Sequence, residues 1–144
     1  MRLPRSLPVI GAIAVVLSVA GCSTGPASDS YAGGPHSADS TPGSVTYSSA
    51  DSPLVEWIDG GTSFAVTKWG SGSCPDRAES VEVTSAHSLI VTFSRDGADE
   101  CTADDSPFTH EFAVPAGATE RPLTVTVRSP KFPEGYWEST RTLE

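Results

Sequence analysis

The residues best suited to chemistry begin with a run of carboxylates between positions 96 and 105. This stretch contains five acidic side chains, which are Asp96, Asp99, Glu100, Asp104 and Asp105. Calcium takes about six to eight oxygen ligands and often draws several from one loop, so Asp96, Asp99, Asp104 and Asp105 are candidate ligands of a divalent cation. Their spacing differs from that of an EF-hand loop. The interpretation we favour is a solvated loop of turn-forming acids.

His110 is the second candidate, and it lies between Phe108 and Phe112 on the apolar side of a predicted strand. An imidazole with suitable partners can act as a general base, so a small hydrolase centred on His110 is one alternative. That alternative predicts a concave pocket that holds His110 together with a Ser and an Asp. We favour a partly buried, hydrogen-bonded core histidine, because spacing alone identifies no catalytic partner.

The beginning of the chain has the three parts of a secretory signal. Arg2 and Arg5 supply the positive start, Leu7 to Ala20 is an uncharged and mostly apolar run, and Cys22 follows small residues. The run has 14 residues, whereas a helix that spans a bilayer needs roughly 20 apolar residues. Residues 1–21 are therefore predicted to be a cleaved signal peptide.

The sequence Val19-Ala20-Gly21-Cys22 resembles the lipobox of bacterial lipoprotein precursors. The resemblance implies that cleavage leaves Cys22 at the amino terminus, where its sulfur carries a diacylglycerol, often with a further acyl chain such as palmitate. Two or more acyl chains give a stable membrane anchor. The protein is therefore expected at the cell membrane, lipid-anchored on the extracytoplasmic face.

Two cysteines, Cys74 and Cys101, remain once Cys22 is assigned to lipid. An even pair in an exported chain predicts a disulfide. Closing the loop of 26 residues between them would stabilise the domain by about 3.5 kcal/mol in the chain-entropy model. Two free thiols are the alternative. Neither cysteine has a second Cys or a His at ligand spacing, so we expect no metal there and no cofactor.

The net charge excludes some partners. Removal of the signal, with its two arginines, changes the formal charge from −9 to −11. A chain this acidic repels nucleic acid and anionic headgroups, so no nucleic-acid partner is expected. It also lacks the polybasic cluster that docks proteins on acidic membranes. The membrane contact is therefore assigned to the lipid on Cys22, and the domain is expected to be a monomer.

Residues 22–50 are predicted to comprise the lipidated cysteine and a disordered tether. From position 23 to position 50 there are 8 Ser, 4 Gly, 3 Pro and 3 Thr, with no Lys or Arg. Such a composition buries too little apolar surface to offset the entropy of ordering the chain. As a flexible coil, this segment would span about 30 Å and lift the domain off the membrane.

Residues 51–144 are predicted to form one small β domain. Apolar side chains recur there with a period of two, at Val81 and Val83, at Leu89, Val91 and Phe93, and at Leu123, Val125 and Val127. Short strands separated by polar turns predict an all-β fold, namely a small antiparallel, immunoglobulin-like β-sandwich of six or seven strands. No stretch of ten residues has the pattern of an amphipathic helix.

Four features of the sequence resemble a small lipoprotein domain of actinobacteria. They are Trp69-Gly70-Ser71-Gly72-Ser73-Cys74-Pro75, Cys101-Thr102-Ala103-Asp104, Thr109-His110 and Pro115-Ala116-Gly117. The resemblance covers residues 64–128, roughly half of the chain. The Gly-Ser-Gly-Ser stretch departs from the serine run of related chains. The resemblance implies a lipoprotein with a small disulfide-bonded β domain, and it transfers no catalytic residue.

These observations together favour a non-enzymatic binding or structural domain of the cell envelope. No nucleophile elbow is present, because residues 70–73 do not match Gly-x-Ser-x-Gly and no helix follows them. The divalent-cation module of the acidic loop at 96–105 and the hydrolase centred on His110 are the two alternatives.

Overall fold

The computed structural model describes residues 26–35, 48–95, 97, 100–131 and 133–144. These residues form eight β-strands and two short 3₁₀ turns, Ser49–Asp51 and Asp59–Gly61. The strands are β1 (Asp29–Ala32), β2 (Leu54–Ile58), β3 (Ser63–Gly70), β4 (Arg77–Ser85), β5 (Ser88–Ser94), β6 (Ser106–Ala113), β7 (Leu123–Pro130) and β8 (Tyr136–Leu143). The predicted all-β sandwich is confirmed.

Two four-stranded sheets make up the sandwich. The first has the strand order β1-β6-β3-β2 and the second has the order β4-β5-β7-β8. Neighbouring strands are antiparallel except for β5 and β7, which run parallel. Parallel strands need a long connection, and here the chain supplies one by passing through β6 of the first sheet. The sandwich is therefore antiparallel, as predicted, apart from this one pair.

The core consists of the alternating side chains that the two sheets turn towards each other. Phe64 and Phe112 of the first sheet stack with their ring centroids 5.2 Å apart, and Phe93 of the second sheet meets Phe112 edge-on at 6.5 Å. The largest fully buried aliphatic side chains are Val66, Leu89, Val91, Leu123, Val125 and Val127. Each such burial stabilises the fold by about 1.5–3 kcal/mol.

The two sides of the sandwich differ. On one side, where β2 and β8 are the edge strands, the indole nitrogen of Trp57 donates to the carbonyl of Glu144 at 2.8 Å. The Arg121 guanidinium lies 3.5 Å from the Trp57 ring centroid, and Leu143 is buried. These contacts close that side. The candidate site lies on the opposite side, between the edge strands β1 and β4.

Strand β1 lies inside the segment predicted to be a disordered tether, so that prediction is wrong for residues 29–32. β1 pairs antiparallel with β6, with Ser30 opposite His110. The Tyr31 hydroxyl donates to Glu111 Oε1 at 2.7 Å. Composition predicted disorder because it measures the apolar surface that a segment can bury. This strand is held instead by backbone pairing and polar side-chain contacts.

The eight strands exceed the six or seven predicted, because β1 precedes the predicted domain boundary at residue 51. The predicted signal at 1–21, the lipidation site Cys22 and residues 36–47 of the predicted tether lie outside the described residues. In the part of the chain that the structure describes, no helix is long and apolar enough to cross a membrane.

Candidate functional site

A cavity of about 710 Å³ opens on the side of the sandwich where β1 and β4 are the edge strands. It is lined by residues 27–30, by residues 73–78, and by the side chains of Phe108 and His110. We call it the lateral cavity. Its lining combines apolar groups with hydroxyl, carboxylate, guanidinium and imidazole groups, a composition typical of small-molecule sites.

His110 contributes a buried imidazole to the lateral cavity. The residue is 3% exposed, and its ring centroid lies 5.0 Å from that of Phe93 and 5.2 Å from that of Phe108. Burial is the largest cause that lowers the pKa of His110 to about 4, and the charge of Lys68 adds to it. A backbone hydrogen bond and the charge of Asp76 act in the opposite direction. The imidazole is therefore neutral at neutral pH.

Ser30 is a polar partner of this imidazole, with its Oγ 2.9 Å from His110 Nδ1. The β1–β6 register places the two residues opposite each other, and both line the cavity. Ser30 is exposed, whereas the ring behind it is buried. Its backbone N–H donates to Asp29 Oδ1 at 2.7 Å. Sequence reasoning missed Ser30, because no local pattern signals a contact between residues 80 positions apart.

Asp76 connects the cavity wall to both sheets. Its carboxylate forms an ion pair with Lys68 of β3, and its Oδ1 lies 2.8 Å from Nε of Arg95, just after β5. The Lys68 ammonium also lies 4.5 Å from the centroid of the Phe93 ring. Burial lowers the pKa of Lys68, while the charge of Asp76 opposes that shift. The charge of Asp76 also raises the pKa of His110, against the larger effect of burial.

The predicted disulfide between Cys74 and Cys101 is confirmed, with the two Cα atoms 5.6 Å apart. Cys74 lies in the connection from β3 to β4, and Cys101 lies in the connection from β5 to β6. Cross-linking these connections restricts the unfolded chain and so stabilises the folded one. Since Cys74 also lines the lateral cavity, the disulfide holds this wall in place.

Asp104 of the acidic loop is engaged by neighbouring donors. The Gly72 N–H lies 3.1 and 3.2 Å from its two carboxylate oxygens, and the hydroxyls of Ser106 and Thr102 donate to the same group. These bonds, led by the one from Ser106, lower the pKa of Asp104 to about 2. A Cβ at Gly72 would lie 2.6 Å from Asp104 Oδ2, so any other residue there would displace the Asp104 carboxylate. Asp104 therefore joins two loops.

Of the other acids proposed as cation ligands, Asp105 lies within the described residues. Asp105 is exposed, and Asp96 and Asp99 lie outside the described residues. Among the residues that are described, no group of three or more His, Cys, Asp or Glu side chains is placed to hold a metal ion. The described part of the acidic loop thus contains the engaged Asp104 and the exposed Glu100 and Asp105.

Comparison of the chain with known protein families, with curated proteins and with solved structures finds no match. The function is therefore argued from the chemistry of the lateral cavity. The cavity offers a hydroxyl and a neutral imidazole in contact, a guanidinium at Arg77, and apolar surface at Pro75 and Phe108. Such groups can bind a small molecule that is polar in one part and apolar in another.

Proposed function

We propose that this protein is a lipid-anchored, extracytoplasmic binding domain that holds a small ligand in the lateral cavity. The cavity itself is the observation that carries the binding role. Its volume of about 710 Å³ falls within the range of roughly 300–1,000 Å³ of small-molecule sites. It opens between two edge strands, so a ligand can enter without separating the core residues of the two sheets.

Three observations support the location. The first 22 residues have the pattern of a lipoprotein signal, and Cys22 stands where the acylated cysteine is found. The Cys74–Cys101 disulfide suits an oxidising, extracytoplasmic compartment. The resemblance of residues 64–128 to actinobacterial lipoproteins supports a bacterial cell envelope. The strongly acidic mature chain leaves the lipid as the contact with the membrane.

The cavity wall suggests how a ligand is held. Ser30 and His110 can exchange hydrogen bonds with a polar group, because the neutral imidazole and the hydroxyl each have donor and acceptor capacity. Phe108 and Pro75 can contact an apolar part of the same ligand. The ion pairs of Asp76 keep the wall rigid, and a preformed wall lowers the entropy that binding costs.

Binding can be tested by a fragment screen on the isotope-labelled full chain in detergent, read by nuclear magnetic resonance. A library of small polar and aromatic fragments should shift the signals of Phe108 and His110. The variant Ala27→Trp places an indole on the cavity lining and should abolish these shifts. Ala27 is a suitable site because it lines the cavity and is only partly buried.

Ala32→Trp is the matched control, since Ala32 is the last residue of β1, five positions after Ala27, is exposed and does not line the lateral cavity. This variant should bind the fragments like the unaltered chain. Fragments that shift only signals away from the cavity would contradict the proposed role. Equal shifts in the Ala27→Trp variant and in the unaltered chain would do so as well.

A further inference from the structure

We propose that Ser30 is an activated nucleophile in the lateral cavity, that His110 is its general base, and that the substrates are acyl esters small enough to enter. The inference goes beyond the proposed binding role, because a ligand can occupy the cavity without reacting. It also departs from the expectation of a non-enzymatic domain. That expectation was drawn from spacing, and spacing does not bring positions 30 and 110 together.

The contact between the two side chains carries this inference. Ser30 Oγ lies 2.9 Å from His110 Nδ1, within the range of about 2.6–3.2 Å for a nucleophile and its base. The hydroxyl is exposed to the cavity, and the imidazole lies buried behind it. A reacting group that enters the cavity therefore meets the serine before the histidine.

The other serines of the cavity are bonded differently. The Ser28 hydroxyl donates to the Glu111 carbonyl at 3.0 Å, and the Ser73 hydroxyl accepts from the backbone N–H of Thr102 at 2.9 Å. Among the described serines that line the cavity, Ser30 is the one whose hydroxyl contacts the imidazole of His110. Ser28 and Ser73 therefore serve as internal controls for its reactivity.

The tautomer of the imidazole decides whether the ring can take the serine proton. Nδ1 of His110 lies 2.9 Å from Ser30 Oγ. The proposal therefore places the ring proton on Nε2, because a neutral imidazole carries one N–H and one acceptor nitrogen. Nδ1 then has a free lone pair for the serine proton.

The reaction balances with water as the only co-reactant. As the Ser30 oxygen forms a bond to the acyl carbon of an ester, its proton passes to Nδ1 of His110. The imidazolium returns this proton to the alkoxide oxygen when the carbon–oxygen bond of the ester breaks, and an alcohol leaves. Water then attacks the acyl-serine while His110 takes its proton. His110 returns this proton to Ser30 Oγ as the bond between that oxygen and the acyl carbon breaks, which releases the carboxylic acid and restores Ser30.

The surroundings of His110 set the pH dependence of this reaction. The charged groups that face the ring are Lys68 of β3 and Asp76 of the loop, with Arg95 paired to Asp76, while β5 and β6 contribute aromatic rings. With a pKa of about 4, His110 is already a free base at pH 5. The rate should therefore rise up to about pH 5 and then level off, and a base this weak gives slow turnover.

The test uses the full chain in detergent and a fluorophosphonate probe, which reports activated serines. Ser30 Oγ forms a bond to phosphorus, the phosphorus–fluorine bond breaks, and the serine proton leaves with fluoride by way of His110. Peptide mass spectrometry should find one adduct per chain, at Ser30. The labelling rate should rise about tenfold per pH unit below pH 4 and be constant above pH 5.

Two variants distinguish a Ser30 hydroxyl that His110 activates from one that is merely exposed. His110→Gln should slow labelling by at least about 100-fold, the typical contribution of a general base. His87→Gln should leave the rate unchanged, since His87 lies at the β4–β5 turn and pairs with Glu120. Equal labelling of Ser28, Ser73 and Ser30 would overturn the proposal, and so would the absence of any adduct at Ser30.

The pH profile of the unaltered chain keeps the test decisive if His110→Gln fails to fold. A labelling rate that keeps rising with hydroxide concentration above pH 5 would overturn the role of His110. Fragment binding in the cavity without labelling of Ser30 would remove this inference and leave the proposed binding role standing. Labelling of Ser30 in a protein that carries no acyl chain on Cys22 would contradict the proposed membrane location and would support the proposed role of Ser30.

Discussion

Burial determines what His110 can do. Packing between Phe93 and Phe108 desolvates the protonated ring and lowers its pKa to about 4. The neutral ring can accept at one nitrogen and donate at the other, and its Nδ1 lies 2.9 Å from the Ser30 hydroxyl oxygen. Acid converts the ring into a cation that can only donate. The site therefore depends on pH.

Acid should destabilise the fold through His110. The pKa of this residue is about 4 in the folded chain and near the ordinary histidine value of 6.5 in the unfolded chain. Between these values the unfolded chain takes up a proton that the folded chain does not, so the free energy of unfolding falls as the pH is lowered. The loss should be complete below pH 4 and reach about 3 kcal/mol.

Urea denaturation at a series of pH values from 7 to 4 measures this loss. The variant His110→Asn should show a smaller decline of the free energy of unfolding over this window, because it lacks the titrating ring. Ser30→Ala keeps the ring and should decline like the unaltered chain. Identical pH profiles for His110→Asn and the unaltered chain would rule out the shifted histidine.

At the scale of elements, strand β1 builds the site. It forms one wall of the lateral cavity and brings Ser30 opposite His110. The loop that carries Cys74 and Asp76 forms the facing wall, and it is tied down by the disulfide and by ion pairs to Lys68 and Arg95. The cavity thus lies between a short edge strand and a cross-linked loop.

The pairing of β1 can be tested by nuclear magnetic resonance and amide hydrogen exchange on the labelled full chain. Residues 29–32 should have chemical shifts of extended backbone and nuclear Overhauser contacts to β6, including one between Ser30 and His110. Amides of β1 that donate to β6 should exchange slowly. Random-coil chemical shifts at residues 29–32, with no nuclear Overhauser contact to β6, would be incompatible with the site.

The strands between Leu54 and Leu143 could be predicted, because a strand with one buried face has a local period of two. The disulfide could also be predicted, since assigning Cys22 to lipid leaves one pair. Strand β1 could not, because backbone hydrogen bonds hold it and these leave little trace in side-chain pattern. The Ser30–His110 contact follows from that pairing, so it was also beyond sequence reasoning.

At the scale of the whole molecule, the position of β1 changes the geometry of the proposed anchor. The prediction placed about 30 Å of flexible tether between Cys22 and the domain. Ala27 already lines the lateral cavity, and five residues of extended chain reach at most about 17 Å. A lipid on Cys22 would therefore hold the β1 edge of the cavity close to the bilayer surface.

The most direct test of a lipid-anchored domain is mass spectrometry of the mature protein from the membrane fraction. We expect an amino-terminal peptide that begins at Cys22 and carries a diacylglycerol on its sulfur. In the Cys22→Ser variant this modification should be absent and the protein should be a released chain or an uncleaved precursor. An unmodified Cys22 in the unaltered protein, with unchanged membrane retention in the variant, would contradict the account.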